Sequence, residues 1–127
     1  MRDKHLFEYA VIRLVPRVER EEFLNVGVVL YCSRQQFLKM MYHIDPLKIE
    51  SFCGGCDVGE IGKYLEAFEK ICNGETDGGP IAKLPIAERF RWLTATRSTV
   101  VQTSKVHPGF CDDAGEMLGK LFSKLVK

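Results

Sequence analysis

The segment Arg20-Glu-Glu-Phe-Leu-Asn-Val-Gly-Val-Val-Leu-Tyr-Cys32 decides how the rest of the chain is read. Three charged residues run into a β-branched, apolar stretch that carries Asn25 and Gly27 where a plain core strand would hold Val or Ile. Strict alternation places Leu24, Val26, Val28 and Leu30 on one face and Asn25, Gly27, Val29 and Tyr31 on the other, which predicts a strand over 24–32. A glycine inside such a strand marks a bulge or the close approach of another backbone. The expectation is a central ladder member, covered by its neighbours on one side and polar on the other.

Working upstream, residues 7–15 alternate in the same way. Ala10, Ile12 and Leu14 face one side and Tyr9, Val11, Arg13 and Val15 the other, until Pro16, which cannot donate to a ladder, closes the strand. The link from Arg17 to Glu22 is charged and turn-like. Downstream, residues 36–44 set Leu38, Met40, Tyr42 and Ile44 against Lys39, Met41 and His43. Three strands with short links predict an antiparallel meander.

The period then changes. Val58, Ile61, Leu65, Phe68 and Cys72 fall on one face of a helix that opens with Asp57 and Glu60 at capping-box spacing and stops at Asn73-Gly74. Residues 74–85 hold three glycines and two prolines and read as a long loop of the kind that is often functional. Residues 86–93 fit a short helix or a strand. Ser98 to Ser104 read as a strand with a partly wet face formed by Ser98, Gln102 and Ser104 around Val100, broken afterwards by Pro108-Gly109. Asp112 or Asp113 caps a last helix with a stripe of Ala114, Met117, Leu118, Leu121, Phe122 and Leu125, and Lys120, Lys124 and Lys127 lie at its C-terminal end, where the dipole favours cations. The sum is one α+β domain over 1–127, a mainly antiparallel sheet with helices packed on one face.

Composition limits the function. With 18 Lys and Arg against 17 Asp and Glu, the net charge of +1 leaves no surplus of cations for displacing phosphate counterions, so a nucleic-acid binder is disfavoured. The first residues lack the apolar core of a signal peptide, and Val26 to Cys32 is too short to span a bilayer. Five cysteines without a secretion signal read as reduced thiols, and the expected compartment is the cytoplasm.

Cys53-Gly-Gly-Cys56 has the spacing of a redox or zinc half-site. No βαβ context precedes it, and no second pair completes a zinc set, so a glycine-rich turn with two incidental thiols stands beside both readings. Arg13, Arg20, Arg89 and Arg97 could form an anion site, since guanidinium forks suit phosphates and carboxylates. Their bland counterpart is ion pairing with Glu21, Glu22 or Glu88. Glu22, Asn25 and His107 could be assembled into an acid–base site, a matter of distances that sequence does not fix. Trp92 between Arg89 and Arg91 would stack a base, anchor a partner or fill the core. Gln102 belongs to the wet face. No nucleotide-binding glycine loop, zinc-protease or calcium-loop motif is present.

Four blocks together carry a family resemblance. They are Tyr9 to Pro16, Val18 to Gly27, Gly79-Pro-Ile81 leading to Glu88-Arg-Phe-Arg-Trp-Leu93, and Arg97 to Ser104 followed by Val106 to Gly109. In this order they resemble the bacterial domain-of-unknown-function family 3037 over nearly the whole chain. The resemblance implies a small one-domain protein without an assigned activity and, as a partner, a kinase-fold neighbour similar to the HipA toxin family. Cys53 and Cys56 are not associated with the family pattern. The expected function is a non-enzymatic accessory protein that binds a protein partner through Arg13, Arg20, Glu22, Asn25, Arg89, Trp92, Arg97, Gln102 and His107. No catalytic residue, cofactor or metal ligand set is assigned. The alternatives are a small hydrolase or phosphate-substrate enzyme with an arginine-lined anion site and, more weakly, a nucleic-acid binder. An uncovered edge strand would also permit pairing with a second copy.

Overall fold

A computed structural model describes residues 4–16, 22–97 and 99–126. The expected turn-like link at 17–21, with Arg20, and the candidate face residue Ser98 lie outside the described residues. Strand β1 (His5–Leu14) pairs antiparallel with β2 (Leu24–Cys32), and β2 pairs antiparallel with β3 (Phe37–Tyr42), giving the expected meander. Helices α1 (Pro46–Phe52), α2 (Val58–Asn73) and α3 (Ile86–Leu93) follow, with a 3-10 turn at Ile81–Lys83. Strands β4 (Val101–Thr103) and β5 (His107–Cys111) both pair antiparallel with β1, and α4 (Ala114–Leu125) completes the domain. The sheet order is β3-β2-β1-β4, with β5 also on β1, so the class is α+β with a five-stranded antiparallel sheet.

Gly27 does both things expected of a glycine in a strand. Ile12 pairs with Gly27 and Arg13 with Asn25, which leaves Val26 as one extra residue, a bulge. A Cβ on Gly27 would stand 2.7 Å from the Met41 carbonyl oxygen and 2.9 Å from Tyr42 Cβ, so β3 approaches β2 only because that atom is missing. The bulge also redistributes the faces. Leu24, Val26, Val29 and Tyr31 pack on the side of α1, α2 and α3, whereas Val28, Leu30 and Cys32 pack on the other.

That second face is not polar. Ala114 and Leu118 of α4 close over Phe7, Val28, Leu30, Cys32 and Cys111, with Met117, Leu121 and Leu125 around them. The expectations of helices on one face and of a polar opposite side are therefore corrected: α4 covers the second side, because the bulge turns apolar residues of β2 toward both. The first side holds the larger cluster, in which Ala10, Ile12, Leu14, Leu38 and Met40 meet Ile49 of α1, Leu65 and Phe68 of α2, and Phe90 and Leu93 of α3. Since β1 and β2 contribute to both clusters, the two cores belong to one domain.

The helix ends follow local chemistry. Asp45 caps α1 through bonds from the Leu47 and Lys48 N–H groups, with Pro46 at the first helical position. Asp57 accepts from the Glu60 N–H and Asp113 from the Glu116 N–H. Residues 86–93 resolve as a helix with Phe90 and Leu93 buried. Pro108-Gly109 does not break a strand. It lies within β5 at the sheet margin, where Gly109 sits over the Phe7 ring so closely that a Cβ would come within 2.5 Å of it.

Strands β4 and β5 are one strand with a fault in it. Thr103 pairs with Ile12 and His107 with Tyr9, so three residues on one side face two on the other. Ser104 bridges the fault: its N–H donates to the Val11 carbonyl at 2.8 Å and its Oγ accepts from the Val11 N–H at 2.9 Å.

Candidate functional site

The expected surface residues separate into two groups on opposite sides of the sheet. On the α4 side, Gln102, Arg13 and Asn25 form a row across β4, β1 and β2. Arg13 stacks on the exposed Phe23 ring at 3.9 Å. Asn25 Nδ2 donates to the Leu125 carbonyl at 3.1 Å and thereby ties β2 to the C-terminal end of α4. His107 stands further along the same face, exposed, with its ring 5.3 Å from that of Tyr9. Glu22 is exposed just before β2 and takes part in an interaction of its own.

Arg89, Trp92 and Arg97 lie on the other side, at α3. Arg89 Nη1 donates to the carbonyls of Ala82 at 3.3 Å and Leu84 at 3.1 Å, which pins the 3-10 turn and the loop before α3. Arg97 Nη1 donates to the Leu93 carbonyl at 2.9 Å and the Ala95 carbonyl at 3.2 Å, and Nη2 donates to the Trp92 carbonyl. It therefore caps α3, satisfying carbonyls that a helix C-terminus leaves without partners. Its guanidinium also lies over the rings of Trp92, at 4.4 Å, and Phe68, at 5.1 Å. Burial draws the Arg97 pKa downward. Both arginines hold backbone carbonyls rather than the carboxylates expected from sequence, and Arg13, across the sheet, is not gathered with them into an anion clamp.

Between these groups lie Arg97 and, beyond Ser98, the residues 99–102. Arg97 is held at the end of α3, while Gln102 Nε2 donates to the Thr99 carbonyl at 2.8 Å and Thr99 Oγ1 donates to the Val101 carbonyl at 2.7 Å. The short turn so formed presents Val100, which is 37% exposed, toward the N-terminal half of α2. There a groove of about 340 Å³ lies between Cys56, Asp57, Glu60, Ile61, Tyr64 and Val100. Tyr64 is 43% exposed and leads by one helical turn to Phe68, the residue under Arg97 and Trp92. Sequence reading did not find this groove. Tyr64 stands beside the buried stripe Ile61–Leu65–Phe68, and nothing in its spacing tells a wall from a core flank.

Cys56, which lines the groove, is disulfide-bonded to Cys53, so the bond joins the C-cap of α1 to the residue before the Asp57 cap of α2. The reading of all five cysteines as thiols is corrected for this pair, which the Gly54-Gly55 turn brings together. Cys32, Cys72 and Cys111 are free and buried. Burial pushes the Cys72 thiol up to about 12 and raises that of Cys111. Among the described residues no group of three His, Cys, Asp or Glu side chains could hold a metal ion.

A second hollow, of about 330 Å³, lies between α2 and the 74–85 loop. Lys70 bridges it, 2.8 Å from Asp77 and 3.9 Å from Glu66, so both of these carboxylates are paired with a cation. The Lys70 hydrogen bond holds the Asp77 carboxyl below its ordinary range. The groove at Tyr64 differs: neither Asp57 nor Glu60 makes an ion pair among the described residues, and no cation lines it.

Fold and groove together define a small α+β domain, a two-faced antiparallel sheet with an acid-rimmed cleft on the side that carries α1, α2 and α3. Residues 9–126 match the family described as "protein of unknown function (DUF3037)", and the chain belongs to that family. No curated protein and no solved structure matches it. Among the described residues no helix is long and apolar enough to cross a membrane.

Proposed function

We propose that the chain is a non-enzymatic accessory protein of the bacterial cytoplasm that binds a protein partner through the cleft between α2 and the turn at 99–102. One observation carries this reading: Tyr64 and Val100 stay exposed against each other, over Ile61, on a scaffold held rigid by Arg97 and Gln102. Exposed apolar side chains facing each other across a cleft suit a partner's side chain, and aromatic residues are the usual anchors of such contacts. The family resemblance makes a HipA-like kinase-fold protein the first partner to test.

An enzyme with an arginine clamp is less well supported. Arg89 and Arg97 are engaged with carbonyls on one side of the sheet, while His107 stands on the other. The acidic rim likewise disfavours nucleic acid, whose phosphates it would repel.

The test is affinity capture from native extract with the full chain, followed by calorimetric titration of the retained protein. Tyr64→Ala should weaken that binding about tenfold while leaving the melting temperature within a few degrees, as expected of an interface anchor. Undiminished binding by Tyr64→Ala would remove the cleft from the interaction, and no specific retention would remove the accessory reading.

A further inference from the structure

Resting on that reading, we infer that the cleft takes a flexible protein segment, an aliphatic side chain flanked by lysine or arginine, rather than the folded surface of a partner. Size is the first argument. About 340 Å³ is at the small end of the roughly 300–1,000 Å³ of ligand pockets, room for one or two side chains. Shape is the second. The walls are a helix flank and the turn at 99–102, with Ile61, Tyr64 and Val100 supplying the apolar lining.

Charge fixes the flanks. Among the described residues the charged side chains lining the cleft are Asp57 and Glu60, and the α2 N-terminus offsets roughly half a unit of that negative charge. Asp57 Oδ1 accepts the Glu60 N–H, so Asp57 has a structural duty; Glu60 is exposed and has no ion pair among the described residues. An anionic flank would meet repulsion here and a cationic one attraction, which sets specificity more than total affinity.

The same charges argue against using the disulfide for thiol exchange. A reactive thiol needs an electropositive setting, and two carboxylates beside Cys56 oppose the thiolate.

The experiment uses the full chain and three fluorescein-labelled nonapeptides that share a central Leu-Ile pair and carry lysine, glutamine or glutamate flanks. Fluorescence anisotropy should rank them lysine, glutamine, glutamate, with about tenfold between the first two at low salt. That difference should shrink as salt is raised. Glu60→Lys should invert the order of the charged peptides, and Tyr64→Ala should weaken all three. Circular dichroism melts check that both variants fold. Equal binding of the three peptides, or an order unchanged by Glu60→Lys, overturns the assignment. If no peptide binds while a captured partner still depends on Tyr64, the occupant is a folded surface: this inference fails and the accessory reading stands. A dimer in sedimentation that dissociates on Tyr64→Ala would put a second copy in the cleft and also overturn it.

Discussion

At Ser104 a hydroxyl does the work of a missing backbone group. The β4–β5 strand carries one residue too many opposite Val11, and Oγ accepts the Val11 N–H that a regular neighbour would have taken. Both residues are buried, so Ser104→Ala leaves a donor without water or partner. The expected cost is about 1–3 kcal/mol, read as a lower urea midpoint with an unchanged slope. Sequence placed Ser104 on a wet face because serine is polar. Its burial follows from the register slip, which no local pattern announces. Arg89 and Arg97 were misjudged for a similar reason. Their acceptors are carbonyls exposed by the end of a helix and the turn before it, and backbone groups leave no trace in composition.

At the scale of elements, alternation was enough for β1, β2 and β3, and capping chemistry for α2 and α4. Helix α1 was missed although Asp45-Pro46 is a cap followed by proline at the first helical position. Strand β5 was missed because Pro108-Gly109 reads as a break; at the edge of a sheet a proline is tolerated, and Gly109 lets the strand cross the Phe7 ring. The faces of β2 were misassigned because alternation cannot register an extra residue. Next to the bulge at Val26 stands Gly27, whose missing Cβ makes room for the β3 backbone. Gly27→Ala should force β2 and β3 apart and lower stability by about 1–3 kcal/mol, measured by thermal melting. Its clash is with backbone, so repacking of side chains will not rescue it.

At the scale of the molecule, the two cores sit on opposite faces of a shared pair of strands, and free thiols report on each. Cys72 lies in the larger cluster, and Cys32 and Cys111 lie in the one under α4. In a single cooperative domain these thiols become accessible together. Alkylation across a urea series at pH 8, followed by mass spectrometry of peptides, should give one midpoint for all three. A lower midpoint for Cys32 and Cys111 would mean that α4 detaches first. The whole-molecule plan also explains what the sequence could and could not disclose: it carried the class and the connectivity of the meander, whereas the cleft is built by residues 56, 64 and 100, distant in sequence and ordinary in type. One consequence of the double pairing of β1 concerns synthesis. The first strand gains its second neighbour only from residues 101–111, so a nascent chain leaves the ribosome with one rim of that strand bare. Premature termination anywhere before residue 101 would make that rim permanent, a ready seed for sticking to other chains.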